Sequence, residues 1–422
     1  MITSKAIVDQ RIFGKVLSTI QELISIHSLS GREEQAVKYL MRVASRLGFN
    51  RIGTDRMGNL IVEGIIGSGE GPVIVLTGHT DTINADPASW APETRPWTGA
   101  IRDGRLFGRG AADMKSALVC MLSAAGAVLR EPGGYSGRIV VVGTVVEELF
   151  EGVCFLEALK LIHPDYIIVG EASGGAISIG QRGRAEIAIT SFGEAQHAST
   201  GRKVINAIEQ SAYIIDAFHR WYRSDVDQVL GKRNIVPTDI KIPVGGGGGL
   251  DGRGGNSTVP KQVEITYDIR TLVEDTRESV LGLVRSNIES VVMNGRNHYP
   301  KFRDPAIEFA SEEARTWTGV AIKQDKFAPA WKTEPESDLV QKALRGVENA
   351  LGKRPELGHY SFCTDGSAVI PYRQLFPGKN PSIIGYGPGN EDQAHTVNES
   401  VAIDDLKEIL LGYQGICREL LK

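Results

Sequence analysis

A chain of 422 residues with 41% hydrophobic and 23% charged residues has the composition of a globular protein, and it is long enough for two domains. Its 47 basic and 51 acidic residues leave a net charge of −4, which offers no electrostatic footprint for nucleic acid or an anionic membrane and points to a small-molecule substrate. Four cysteines, at 120, 154, 363 and 417, show neither zinc-finger spacing nor disulfide density, so free thiols in a reducing compartment are expected.

The opening stretch MITSKAIVDQRIFGKVLSTIQELISIHS repeats its apolar residues at helical spacing with charges between them, unlike the continuous apolar core of a signal peptide. No run of about 18 apolar residues follows, so a cytoplasmic protein with no membrane partner is expected. From 60 to 170, strand-like runs at 73–77, 139–146 and 166–169 alternate with helical ones at 115–130 and about 152–162. That alternation predicts an α/β domain with a mainly parallel sheet and helices on both faces. Residues 182–293 change pattern: RAEIAITSF and VEITYDIR alternate as half-buried strands, and helices are expected at about 204–222 and 277–292. This predicts an inserted α+β sandwich. Beyond it, PSIIGYGPG supplies a strand and IDDLKEILLGYQGICRELL a closing amphipathic helix, so residues 1–181 and 294–422 are expected to form one domain around the insertion. Gly247, Gly249 and Gly252 match G-x-G-x-x-G, but RGGNSTVP follows where a dinucleotide site needs a helix, so no nucleotide is expected.

Ligands of open α/β sheets bind outside the carboxyl ends of the strands. The 73–77 strand leads to His79 and Asp81, the 139–146 strand to Glu147 and Glu148, the 166–169 strand to Glu171, and the strand near Ile384 to His395. The segment LFGRGAADMKS, before the 115–130 helix, adds Asp113. Singly these residues have ordinary readings: a hydrogen-bonded turn for His79, a solvated helix start for the glutamate pair. A carboxylate such as Glu171 directly on a buried strand, however, is costly unless paired or liganding. Together, two imidazoles and three carboxylates, one of them bridging, suffice to hold two divalent metals about 3.5–4 Å apart beside an activated water. Asp81, on the same side of an extended chain as His79, is placed to accept the proton of the second ring nitrogen. Neighbours in extended chain point apart, so one of Glu147 and Glu148 should coordinate while the other addresses the water. Zinc suits this mixture of imidazole and carboxylate, and manganese or cobalt also fit.

The segments GHTDT, GRGAADMKSA, VVEELFEG, IIVGEAS and GPGNEDQAHTVNE, in that order and spacing, resemble the dinuclear metallohydrolase family that contains carboxypeptidase G, aminoacylase and succinyl-diaminopimelate desuccinylase. The resemblance spans nearly the whole chain. It implies two divalent metal ions per subunit held by His79, Asp113, Glu148, Glu171 and His395, with Asp113 as bridge, Glu147 as general base and Asp81 behind His79. It also implies that 182–293 is a lid and dimerisation domain of a homodimer, with His197 in FGEAQHAST reaching the partner's site to polarise the scissile group. Asn256 and Arg270 correspond to lid residues that bind a substrate carboxylate, a task suited to the arginine fork. A plain reading of Arg270, a strand residue paired with a neighbouring acid, stands beside that one. Two departures from the family pattern bear on substrate recognition: the longer glycine run before Asn256, and Cys363 in SFCTDGSA where a glycine is common.

The function so implied is hydrolysis of a carbon–nitrogen bond in a small carboxylate-bearing substrate, such as a dipeptide or N-acyl amino acid. The same activated water could instead release ammonia from an aromatic amine such as 5-nitroanthranilate. A non-catalytic, metal-stabilised binding protein is the third reading; against it stands Glu147, because a structural metal site has no use for a base.

Overall fold

The computed structural model describes residues 10–131, 133–199, 204–219, 226–243, 257–298 and 301–422. Two compact units divide the chain: Met1–Gln181 with Glu313–Ile322 and Trp331–Lys422, and Arg182–Glu312 with Lys323–Ala330.

In the first unit, continuous β-branched runs leave no polar face to solvate, and Val73–His79 is buried along its whole length. The described residues form a nine-stranded sheet in the order Arg51–Thr54, Leu60–Ile66, Gly137–Thr144, Val73–His79, Tyr166–Val169, Ser382–Gly385, Ile177–Gln181, Trp331–Lys332, with Leu357–Tyr360 also paired to Ile177–Gln181. The central four, from Gly137–Thr144 to Ser382–Gly385, are mutually parallel. Antiparallel strands flank them on both sides. Register aligns the ends of the central strands: His79 is paired with Thr144, and Thr77 with Val169. Side chains that follow these strands therefore emerge at one level.

One face of the sheet packs Val75, Val142, Ile167 and Ile383 against the helices Val153–Ile162 and Val369–Leu375. Helices Lys115–Val128 and Asp338–Leu351 cover the other, with Ile403–Leu420 packed against both of them. The last two cross closely at Gly346 and Gly415, where a Cβ on Gly346 would stand 2.6 Å from the Gly415 carbonyl carbon. The expected α/β architecture with helices on both faces is what the unit adopts.

The second unit is an antiparallel sheet in the order Asn234–Lys241, Gln262–Thr271, Gly183–Phe192, Ala306–Phe309, with Phe327–Ala328 also on Gly183–Phe192. Helices Ala207–His219 and Arg277–His298 cover one face through Ile187, Ile265, Ile214 and Val284. This is the expected α+β sandwich.

The structure moves two boundaries. The second unit extends past 293 to Glu312 and takes back Lys323–Ala330, because Ala306–Phe309 and Phe327–Ala328 complete its sheet. The strand expected over 139–146 stops at Thr144, and Val146 turns the chain with a φ of 60°. Glu147 and Glu148 thus follow a turn rather than extended chain. Asn256 and most of the glycine-rich segment lie outside the described residues. All four cysteines are buried free thiols. No described helix is long and apolar enough to cross a membrane.

Candidate metal centre

His79 closes its strand with an imidazole only 1% exposed. Its neighbour Gly78 leaves room for Met114, whose methyl would lie 2.1 Å from a Cβ there, and this close approach draws the Asp113 loop against the strand end. His79 Nε2 then lies 2.8 Å from Asp113 Oδ1 and 3.6 Å from Glu171 Oε1. On the other side of Asp113, His395 Nε2 is 3.2 Å from Oδ2 and 2.9 Å from Glu148 Oε2. Two donor sets result, His79–Asp113–Glu171 and Asp113–Glu148–His395, each with its ligand atoms within 4.8 Å of one another. Asp113 belongs to both.

The electrostatics of these groups call for cations. Burial pushes Glu171 well up, and the charge of Asp113 adds to it; Glu147 is likewise raised by burial, with Asp365 and Glu171 adding to it. Burial alone would lower His79, but Asp113, Glu147 and Glu171 overcome this and hold the imidazole well above its ordinary value. Burial alone would raise Asp113, but His79 and His395 hold it below the usual carboxylate range. His395 is pushed up to about 10 by its hydrogen bonds to Asp113 and Glu148. Two imidazoles thus face a larger number of buried carboxylates, an excess of negative charge that a pair of divalent cations would neutralise. The mixed nitrogen and oxygen donors suit zinc, manganese or cobalt. The residues fit the dinuclear group.

Glu147 lies in neither donor set. It is 6% exposed, and its Oε2 is 4.0 Å from His79 Nε2. Asp81 departs from its expected part. The His79 Nδ1 partner is the backbone carbonyl oxygen of Asp81 at 2.9 Å, while the nearer carboxylate oxygen is 3.7 Å away. That carboxylate accepts instead from the Glu147 and Glu148 amides, at 3.2 and 3.1 Å, and from Ser30 Oγ at 2.7 Å. The turn after Thr144 brings those two N–H groups round to it.

Glu33, which the motifs did not mark, is fully buried, and its Oε1 accepts from the N–H groups of Gly31 and Val146 at 2.7 and 2.9 Å. Its Oε2 has no hydrogen-bond partner among the described residues. Burial, then the charge of Asp81, pushes this carboxyl up to about 7. Asp365 accepts from Thr144 Oγ1 at 2.5 Å and from the Gly152 amide at 3.2 Å.

In the second unit, His197 Nδ1 lies 2.9 Å from Ser199 Oγ. Arg270 is paired with Asp268 on its own strand through two contacts of 2.8 and 3.2 Å, as in its plain reading.

Residues 75–418 match the sequence model of Peptidase family M20/M25/M40. Succinyl-diaminopimelate desuccinylase of Methylobacillus flagellatus is 27% identical over 366 residues, which cover 83% of this chain and 85% of that protein. The uncharacterized YgeY protein of Escherichia coli (strain K12) is 25% identical over 385 residues, 90% of this chain and 88% of its own length. Among solved structures, aminopeptidase PepT from Bacillus cereus superposes with a TM-score of 0.70 at 20% identity, covering 97% of this chain and 99% of that one. The Bacillus subtilis YXEP protein, a dinuclear metal binding peptidase from the M20 family, gives 0.65 at 14% identity, covering 98% of this chain and 100% of that one. At such identities the structural likeness speaks for the fold, and the match over most of the sequence speaks for the family. The chain belongs to peptidase family M20/M25/M40 and is a metal-dependent hydrolase acting on carbon–nitrogen bonds.

Proposed function

We propose that the chain hydrolyses the amide or peptide bond of a small carboxylate-bearing substrate, a dipeptide or an N-acyl amino acid, with Glu147 as general base. The observation that carries this reading is the position of Glu147: a buried carboxylate beside two donor sets that share Asp113, and a member of neither. Two divalent cations, zinc first among the candidates, would supply an activated water and polarise the scissile carbonyl. His79, Asp113 and Glu171 would hold one, and Asp113, Glu148 and His395 the other. Glu147 takes the proton of the attacking water on its carboxylate and returns it to the leaving amine. Asp81 keeps Glu147 and Glu148 in place through their amides. His197, Asn256 and Arg270 are assigned substrate contacts on the family resemblance, and Arg270 would exchange Asp268 for a substrate carboxylate.

A homodimer is proposed through the second unit, where the edge strand Asn234–Lys241 exposes Val236 and Ile240; light scattering in solution tests it. The substrate is tested by mass spectrometry of products after incubating Zn2+-reconstituted protein with dipeptides, N-succinyl and other N-acyl amino acids, and 2-aminobenzoates. Release of a free amino acid is expected. Release of ammonia from a ring amine, with none from the acyl compounds, would replace amide hydrolysis by aromatic deamination.

A further inference from the structure

The Asp113 and His395 loops are bound together over a short length of chain. Ser400–Ala402 pairs antiparallel with Arg105–Phe107. The Gly108 amide donates to the Glu399 carbonyl at 3.0 Å, and Arg109 Nη2 to the Thr396 carbonyl at 3.3 Å. At the centre of this seam the Glu399 side chain is fully buried. Its Oε1 accepts from three N–H groups, of Gly110, Ala112 and Asp113, at 3.0, 2.8 and 3.1 Å. Its Oε2 faces Arg109 Nη1 at 2.6 Å.

We propose that Glu399 is a positioning residue for the dinuclear centre, setting the Asp113 carboxylate between His79 and His395 by gripping the Asp113 loop through three backbone N–H groups. The inference rests on the proposed metal centre. Asp113 is the one residue common to both donor sets, so a shift of its backbone displaces a ligand of both ions together. Glu399 follows His395 by four positions, and the same carboxylate therefore ties the loop of one ligand to the loop of another. No other described side chain accepts from all three of those amides. Arg109 neutralises the buried charge on the far side, where it contacts neither donor set. A bare ion pair would need only the Arg109 contact; the three N–H groups on the opposite oxygen are what aim the device at Asp113.

The test is Zn2+ titration of the metal-free full chain against a chromophoric chelator, with thermal unfolding followed on the same samples. Glu399→Ala is expected to remain folded and to bind Zn2+ about 10–100-fold more weakly, the usual cost of losing a partner that orients a metal ligand. In the Arg109→Met, Glu399→Gln double variant the side-chain amide keeps an oxygen for the three N–H groups and faces no guanidinium, and most of the affinity returns. With a substrate in hand, kcat of Glu399→Ala falls while KM holds. Wild-type Zn2+ affinity in Glu399→Ala, or a folded double variant as weak as Glu399→Ala, would overturn the assignment. If Glu399→Ala does not fold, Glu399→Asp carries the test, since it keeps the charge near Arg109 but withdraws it from the N–H groups. Weakened Zn2+ binding is expected there, and unchanged binding refutes the proposal. A wild-type chain that takes up no Zn2+ removes the metal centre itself, an outcome separate from these.

Discussion

His79 presents Nδ1 to the backbone carbonyl of Asp81 at 2.9 Å, while the Asp81 carboxylate is directed to the amides that precede the Glu147 and Glu148 side chains. One residue therefore serves two parts of the site with different groups, its main chain orienting the imidazole and its side chain the glutamates. Asp81→Asn leaves the carbonyl where it is but sets an NH2 against one of the two amides. The variant is expected to lose about 10–100-fold in kcat through a displaced Glu147, and to bind Zn2+ more weakly through a displaced Glu148. Zn2+ titration beside steady-state kinetics checks this. Wild-type Zn2+ affinity and wild-type kcat in the folded variant would show that the carboxylate positions neither glutamate.

Removing the base should separate binding from chemistry. Glu147→Gln keeps the shape of the side chain and lies outside both donor sets, so full metal content is expected with kcat lowered by about 10²–10⁴-fold. A Glu147→Gln protein with wild-type turnover ends the proposed mechanism.

Metal uptake should release protons. In the metal-free chain His395 is raised to about 10 by Asp113 and Glu148, so it carries a proton at neutral pH that a cation has to displace. Apparent Zn2+ affinity accordingly rises as pH is raised above neutrality. Calorimetric titration at pH 7 in two buffers of different ionisation enthalpy reads the number of protons released. Identical heats in both buffers would contradict the assignment of His395 as a ligand.

Glu33 makes a prediction about stability. Burial first, and Asp81 second, raise its carboxyl from an ordinary 4.5 to about 7, so the folded chain holds this proton more tightly than the unfolded one. Its contribution is complete below pH 4.5 and is lost as pH rises through about 7. Denaturant unfolding of metal-free protein between pH 5 and 8 should show Glu33→Gln losing less stability with rising pH than the wild type. Parallel profiles for the two proteins would show that Glu33 does not titrate in this window.

The part of the centre legible in one dimension is the part built from interrupted strands. A strand buried on both faces has to be a continuous apolar run, so His79 after VIVLTG and Glu171 after YIIVG stand out as polar residues that the pattern does not call for. Glu147 and Glu148 are legible as a pair, but only extended chain would make them point apart, and Val146 with its φ of 60° puts them in a turn instead. Arg270 shows the limit for a lone residue: the strand was evident in VEITYDIR, its ion pair with Asp268 was only one of two readings, and nothing in the alternation chose between them.

By itself the sequence determined the α/β plan, the sandwich inserted in it and the residue types gathered at one sheet edge, because the repeat of apolar side chains and its interruptions are properties of the chain read in order. Only the tertiary structure decided which oxygen orients His79, that Glu33 meets the amide of Val146 across 113 residues, and that Glu399 meets that of Asp113 across 286. Each of these contacts ends on a backbone N–H or carbonyl, a group that nearly every residue carries, so no choice of side chain in the sequence marks where its partner will be.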